Sequence, residues 1–210
     1  MANRAIIFDL DGTLIDSRED LARAGNHARS ALGLQPLSLA EVASFVGDGA
    51  AKLVERLTPG CTKDERERAL AAFFDHYGRQ CTEQTRPYQG VGEMLDLLRG
   101  GGWLLAVATN KPLAFTLTIL DACGLNQFTE VRGGDAMRKP DPGQLLSILA
   151  ELAAEPGASW MVGDHRNDVI AGRAAGCSVM WCSWGLGSRD GLAVDAEAHS
   201  PGDIARLLGA

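Results

Sequence analysis

Four short runs of consecutive apolar residues punctuate the chain, at Ala5 to Phe8, Trp103 to Ala108, Trp160 to Val162 and Ser178 to Cys182, with a weaker fifth over Phe128 to Val131. Short runs of this kind predict buried strands. Between them lie amphipathic stretches of helical length: GVGEMLDLLRG before the second run, PLAFTLTILDACGL after it, and PGQLLSILAELAAE before the run at Trp160. Strand and helix alternate, the pattern of a parallel sheet wrapped by helices. The alternation stops between about Ser17 and Thr85, where only helical patterns occur, in SREDLARAGNHARSALGL, SLAEVASFVGDGAAKLVERLT and TKDERERALAAFFDHYGRQC. This predicts a second, smaller, all-helical domain over residues 17–85, inserted into an α/β core made of residues 1–16 and 86–210. Asp16 and Ser17 would lead into the insertion, and Arg86 and Pro87 out of it, with Pro87 favouring an extended residue before it.

Composition narrows the classes of function. At 210 residues, 46% hydrophobic and 22% charged, the chain has ordinary globular usage, which argues against disorder or a fibrous repeat. A formal net charge of −7 and a pI near 5.1 offer no basic surface, so a small ligand is expected rather than nucleic acid or an anionic membrane. Cys61, Cys81, Cys123, Cys177 and Cys182 are odd in number and lack CxxC spacing, which reads as reduced thiols in a cytosol. The first apolar run is too short for a signal-peptide core and no stretch has the length of a membrane span. A cytoplasmic protein, monomeric or homodimeric, is expected.

In open parallel sheets the ligand crevice lies beyond the carboxyl ends of the strands. The first run ends in Asp9 and Asp11, the second in Thr109 and Asn110, the weak one leads to Lys139, and the run at Trp160 ends in Asp164 followed by Asp168. Carboxylates gathered in a partly dry site repel one another by several kcal/mol unless a cation or protons separate them. An all-oxygen donor set points to a hard metal. Magnesium fits, because it takes one or two carboxylates plus phosphate oxygens; zinc does not, since His27, His76, His165 and His199 show no ligand spacing. Lys139 would add a second positive charge. With the repulsion masked, Asp9 can attack phosphorus while Asp11 carries a proton to the leaving oxygen. Gly12 permits a sharp turn after the strand, and Thr13 can offer its hydroxyl or amide to phosphate.

These residues sit in motifs with a known likeness. FDLDGTLIDS resembles the first motif of the haloacid dehalogenase superfamily of phosphohydrolases. VATNKP resembles the second, RKPDP the third and VGDHRNDVIAGRAAG the fourth, in that order, and the phosphoglycolate phosphatase-like branch is the nearest match. The resemblance implies a Rossmann-like core with an inserted helical cap and an aspartyl-phosphate formed on Asp9. Asp11 would be general acid and then base. Thr109 would bind a phosphoryl oxygen and Lys139 would hold Asp9 and the phosphate. Asp164 would ligate Mg²⁺ with Asp9 and the Asp11 main-chain carbonyl, with Asp168 supporting the metal shell. The implied substrate is a small phosphorylated metabolite, 2-phosphoglycolate first. Two positions depart from the branch: His165 stands where Ser or Thr is usual, and Gln144 where KP-x-P-x-P has its third proline.

Each residue also has a plainer reading. Asp9 and Asp11 would serve as loop or capping residues, Asn110 as a helix cap, Lys139 as a solvated loop lysine, and Asp168 as a first-turn acid favoured by the helix dipole. In the insertion, FVGDGAAKL breaks a helical pattern at Gly47 and Gly49, giving either an interhelix turn or a loop that closes over substrate. Lys52 and Arg56 would face an anionic substrate tail or simply solvent. Rival functions are a phosphosugar mutase of the same superfamily and a phosphorylatable signalling domain with an acidic pocket.

Overall fold

A computed structural model describes residues 3–209. Six parallel strands form one sheet in the order β5-β4-β1-β6-β7-β8. They are β1 (Ala5–Phe8), β4 (Leu104–Ala108), β5 (Glu130–Arg132), β6 (Trp160–Gly163), β7 (Ser178–Cys182) and β8 (Ala196–Ala198). A separate two-residue ladder pairs β2 (Ile15–Asp16) antiparallel to β3 (Arg86–Pro87). Helices α5 (Val91–Gly100), α6 (Leu113–Ala122), α7 (Gly143–Glu151), α8 (Arg166–Ala174) and α9 (Pro201–Leu207) flank the main sheet.

The unbroken apolar runs follow from burial on both faces. Successive side chains of a strand point to opposite sides. Ile6, Phe8, Leu105 and Val107 join one core with Met94, Leu95 and Leu98 of α5, whereas Ala5, Ile7, Ala106 and Ala108 pack with Leu145, Ile148 and Leu149 of α7. Neither face can be polar, so no alternation appears. Edge strands are harder to read. β5 is displaced by two residues from the expected start because Glu130 and Arg132 lie on the same face at i and i+2, half-buried and ion-paired to each other. β8 and α9 were not foreseen, since AEA and a seven-residue helix carry almost no periodic signal.

The insertion is helical throughout but contains four helices rather than three: α1 (Arg18–Ser30), α2 (Leu39–Ala43), α3 (Ala50–Leu57) and α4 (Lys63–Gln80). The middle pattern splits because Ser38 and Glu41 cap a short α2, after which Gly47 and Gly49 carry the chain through positive φ. Thr62 and Glu65 build the same reciprocal cap on α4. Ala69, Phe73 and Tyr77 form the buried stripe of α4, at the four-residue spacing of one helix face, and α4 packs on α1. Asp20 in the first turn of α1 accepts from Gln84 N (2.9 Å), Thr85 N (2.8 Å) and Thr85 Oγ1 (2.8 Å), which ties the entry of the insertion to its exit.

The five cysteines are free thiols. No helix among the described residues is long and apolar enough to cross a membrane.

Candidate active site

The chain runs outward from β1 through β4 to β5, then crosses to β6 on the other side of β1, so β1 lies at the topological switch. Directly after β1 the backbone folds on itself, with the amides of Thr13, Leu14 and Ile15 converging on the Leu10 carbonyl at 3.2, 2.9 and 3.2 Å. Gly12 makes this turn at φ +85°, and a Cβ there would lie 2.2 Å from Asp164 Oδ2. Any other residue would push Asp164 away from Asp9.

Lys139 Nζ sits 2.9 Å from Asp9 Oδ1 and 2.6 Å from Asp168 Oδ1, with its side chain 2% exposed. Oxygens of Asp9, Asp164 and Asp168 all lie within 4.8 Å of one another. Burial first, and then the neighbouring carboxylates, push the acids of Asp9 and Asp164 well above the usual range, although Lys139 pulls Asp9 back. Burial opposes the charge on Lys139, yet Asp168 and Asp9 outweigh it and hold the ammonium above the normal lysine range. One lysine among three buried carboxylates leaves the cluster short of positive charge, which is the electrostatic condition of a cation site.

Both oxygens of Asp168 are occupied, Oδ1 by Lys139 and Oδ2 by the His165 amide at 2.9 Å. Its first-turn capping role and its service to the site therefore coexist, and it acts by orienting Lys139. His165 caps α8 in the manner of the Ser or Thr it replaces, with Nδ1 accepting from Asn167 N at 3.2 Å. Burial keeps this imidazole below its ordinary pKa.

Thr13 does not present its polar groups to a phosphate. Its hydroxyl donates to Asp164 Oδ1 (2.9 Å) and its amide to Leu10 O, so it orients Asp164. Asp164 Oδ2 accepts from the amides of Leu186 and Gly187 at 2.7 and 3.0 Å, donors the motif reading had missed.

Thr109 and Asn110 end β4. Thr109 is buried, and its Oγ1 accepts from Lys111 N at 3.2 Å. Asn110 Nδ2 donates to the carbonyls of Lys139 (2.9 Å) and Gly47 (3.0 Å), so it joins the third motif to the insertion instead of capping a helix. Gly47 is further held by Asn167, whose Nδ2 donates to Asp48 Oδ1 at 2.7 Å, while Arg56 pairs with Asp48 Oδ2 at 2.5 Å. Gly47 has φ +125°, and a Cβ there would lie 2.6 Å from His165 Cδ2. The glycine loop thus lies over the site, with Gly47 and Gly49 both lining the cavity above Asp9.

That cavity is small, about 50 Å³, and is bounded below by Asp9, Asp11, Thr109 and Asn110 and above by apolar residues of α3 and α4. Asp11 Oδ1 is held by Ser17 Oγ (2.5 Å) and Lys111 Nζ (3.0 Å). Lys111 also donates to the hydroxyl of Tyr77 on α4. Neither Lys111 nor Tyr77 was singled out from the sequence, although Lys111 directly follows the Thr-Asn pair. Lys52 lies elsewhere: 48% exposed and bonded to Glu55 at 2.9 Å, it lines a separate cleft near His165 and not the cavity above Asp9, and Arg56 is committed to Asp48.

The sequence model of the haloacid dehalogenase-like hydrolase family matches residues 6–182. A phosphoglycolate phosphatase of Nitrosospira multiformis is 39% identical over 207 residues, covering 94% of this chain and 91% of its own. One from Pseudomonas putida is 40% identical over 206 residues, covering 94% and 75%. The crystal structure of a predicted phosphoglycolate phosphatase from Haemophilus somnus 129PT superposes with a TM-score of 0.90 at 31% identity, covering 98% of this chain and 97% of that one. With the four motifs in place around one buried carboxylate cluster, the chain belongs to the haloacid dehalogenase-like hydrolases and is a phosphatase of that family.

Proposed function

We propose that the protein is a Mg²⁺-dependent phosphomonoesterase that hydrolyses a small organophosphate, 2-phosphoglycolate first, through an aspartyl-phosphate on Asp9. The observation that carries this reading is the cavity of about 50 Å³ in which Asp9 and Asp11 face the same space. The curated relatives' name supports the choice of phosphoglycolate.

The donor set suits magnesium: three buried carboxylates with oxygens within 4.8 Å, no histidine or thiol among them, and too few protein cations to balance them. Asp9, Asp164 and the Asp11 main-chain carbonyl would hold the ion, with Asp168 supporting through Lys139. Bound there, magnesium supplies charge neutralisation for the carboxylates and for the phosphoryl oxygens.

Lys139 fixes Asp9 Oδ1, which leaves the other carboxylate oxygen to attack phosphorus in line with the departing alkoxide. The P–O bond to the alkoxide breaks and Asp11 gives that oxygen its proton. Asp11, now a base, takes a proton from water as the water oxygen attacks the aspartyl-phosphate, which frees phosphate and restores Asp9. Ser17 and Lys111 hold one oxygen of Asp11, so its Oδ2 is the atom free to carry the proton. Thr109, whose Oγ1 accepts from Lys111 N, would donate its hydroxyl proton to a phosphoryl oxygen. In this reading residues 17–85 act as the cap that excludes water, and 1–16 with 86–210 as the catalytic core; Met1, Ala2 and Ala210 lie outside the described residues.

The test is phosphate release from phosphoglycolate, hexose phosphates and nucleoside monophosphates, with and without Mg²⁺, for wild type and Asp9→Asn. Release that requires both Mg²⁺ and Asp9 is expected. Undiminished turnover by Asp9→Asn, free of deamidated or contaminating enzyme, overturns the nucleophile, and conversion of hexose 1-phosphate to 6-phosphate without net release would mark a mutase.

A further inference from the structure

The roof of the cavity is apolar, formed by Leu53 of α3 and Phe73 and Phe74 of α4, with Phe115 of α6 also lining it. An anionic substrate tail would be left unpaired against such a surface, and burying an unpaired charge is strongly unfavourable. Lys111 is the only cation that lines the cavity among the described residues. Its side chain is 4% exposed, and its ammonium is ion-paired with Asp11. An ammonium has three N–H donors. Asp11 Oδ1 at 3.0 Å and the Tyr77 hydroxyl at 2.5 Å take two of them, and no third acceptor is present among the described residues. Tyr77, accepting from Lys111, keeps its own proton to donate.

Position sets the length of tail this pair would meet. If Asp11 protonates the leaving oxygen, then Lys111, in contact with Asp11, lies one or two carbons beyond that oxygen. We infer that Lys111, steadied by Tyr77 of the cap, is the specificity residue that binds the carboxylate of a short-tailed phosphomonoester. The preference for a compact anionic tail thus resides in a core lysine, while the cap supplies an apolar lid and one hydroxyl. This rests on the phosphatase reading above and adds to it the residue that selects the substrate. A site built to hydrogen-bond a substrate group discriminates strongly against an analogue that lacks it, because its own polar groups are then left unpaired.

The experiment compares kcat and KM for phosphoglycolate and for 2-hydroxyethyl phosphate, a neutral-tailed ester of the same chain length, in wild type, Lys111→Gln and Tyr77→Phe. Wild type should prefer phosphoglycolate, and Lys111→Gln should cut that preference at least tenfold, mainly through KM. Tyr77→Phe should cut it about threefold. Equal losses on both esters in Lys111→Gln would mean that the lysine serves only Asp11, and would overturn the inference. A wild type that hydrolyses both esters alike would overturn it while leaving the phosphatase reading standing; no release from any phosphomonoester would sink both. Should Lys111→Gln fail to fold by circular dichroism, an unchanged preference in Tyr77→Phe together with one in Lys111→Met decides against it.

Discussion

Gln144 replaces a proline of the family pattern, and its structural setting gives a sharp test of how the site is held. It lies in the first turn of α7, 1% exposed, and its Nε2 stands 3.0 Å from Thr109 O, 2.9 Å from Gly133 O and 2.7 Å from Met137 O. One side-chain amide therefore joins the end of β4, the exit of β5 and the loop leading to Lys139. Gln144→Met keeps length and volume but removes both N–H donors. Each lost bond to a buried carbonyl costs about 1–3 kcal/mol, so two cost about 2–6 kcal/mol. Two facts reduce the sum: Gly133 O and Met137 O are only part-buried sites, and the wild type already carries a buried Gln144 Oε1 with no partner, whose desolvation the methionine relieves. The net loss is about 2–3 kcal/mol. At a urea m-value of about 2 kcal/mol/M the midpoint should fall by about 1–1.5 M with m unchanged. kcat should fall with it, since Thr109 and Lys139 sit on the loosened segments. Gln144→Glu adds a sign. A carboxyl facing three carbonyls has its folded pKa raised, so stability is retained below about pH 4.3 and lost as pH rises above it. A midpoint within about 0.2 M of wild type for Gln144→Met, with kcat intact, would refute the clamp.

Gly47→Ala meets both a backbone barrier at φ +125° and the His165 ring. The conformational part costs about 1–3 kcal/mol; adding His165→Ser should restore the steric share of lost activity but not that part, and full rescue would show the backbone is tolerant. Magnesium at about 100 times its Kd should stabilise by about 2.7 kcal/mol, which is roughly 5–11 °C in melting temperature for a chain of this size. Asp164→Asn should abolish that increment, and an equal rise in the variant would move the ion elsewhere. Burial and the neighbouring His27 ring, 4.9 Å away between centroids, hold His76 below the usual histidine range. The unfolded chain then takes up that proton first, so this contribution is complete above pH 6.5 and is lost as pH falls below it. His76→Gln should flatten the fall in melting temperature between pH 7 and 5; an unaltered slope would contradict the assignment.

Asp9, Asp11, Thr109 and Asp164 were legible in the sequence because each follows a short apolar run, and a parallel sheet brings the carboxyl ends of its strands together whatever the rest of the chain does. The same local logic located the helical insertion, and the capping pairs Ser38–Glu41 and Thr62–Glu65 lie within single turns. Direction of side chains across the fold was not legible. Thr13 turns to Asp164, 151 residues away, Asn110 reaches Gly47 across 63 residues, and Tyr77 meets Lys111 across 34. No periodicity encodes such partners, because hydrophobic spacing reports which face of an element is buried and not what lies opposite it. Lys52 and Lys111 show the difference most directly: each is a lysine beside a motif, and only the packing of α4 over the end of β4 decides that Lys111 is inside the cavity while Lys52 is in the separate cleft with Glu55.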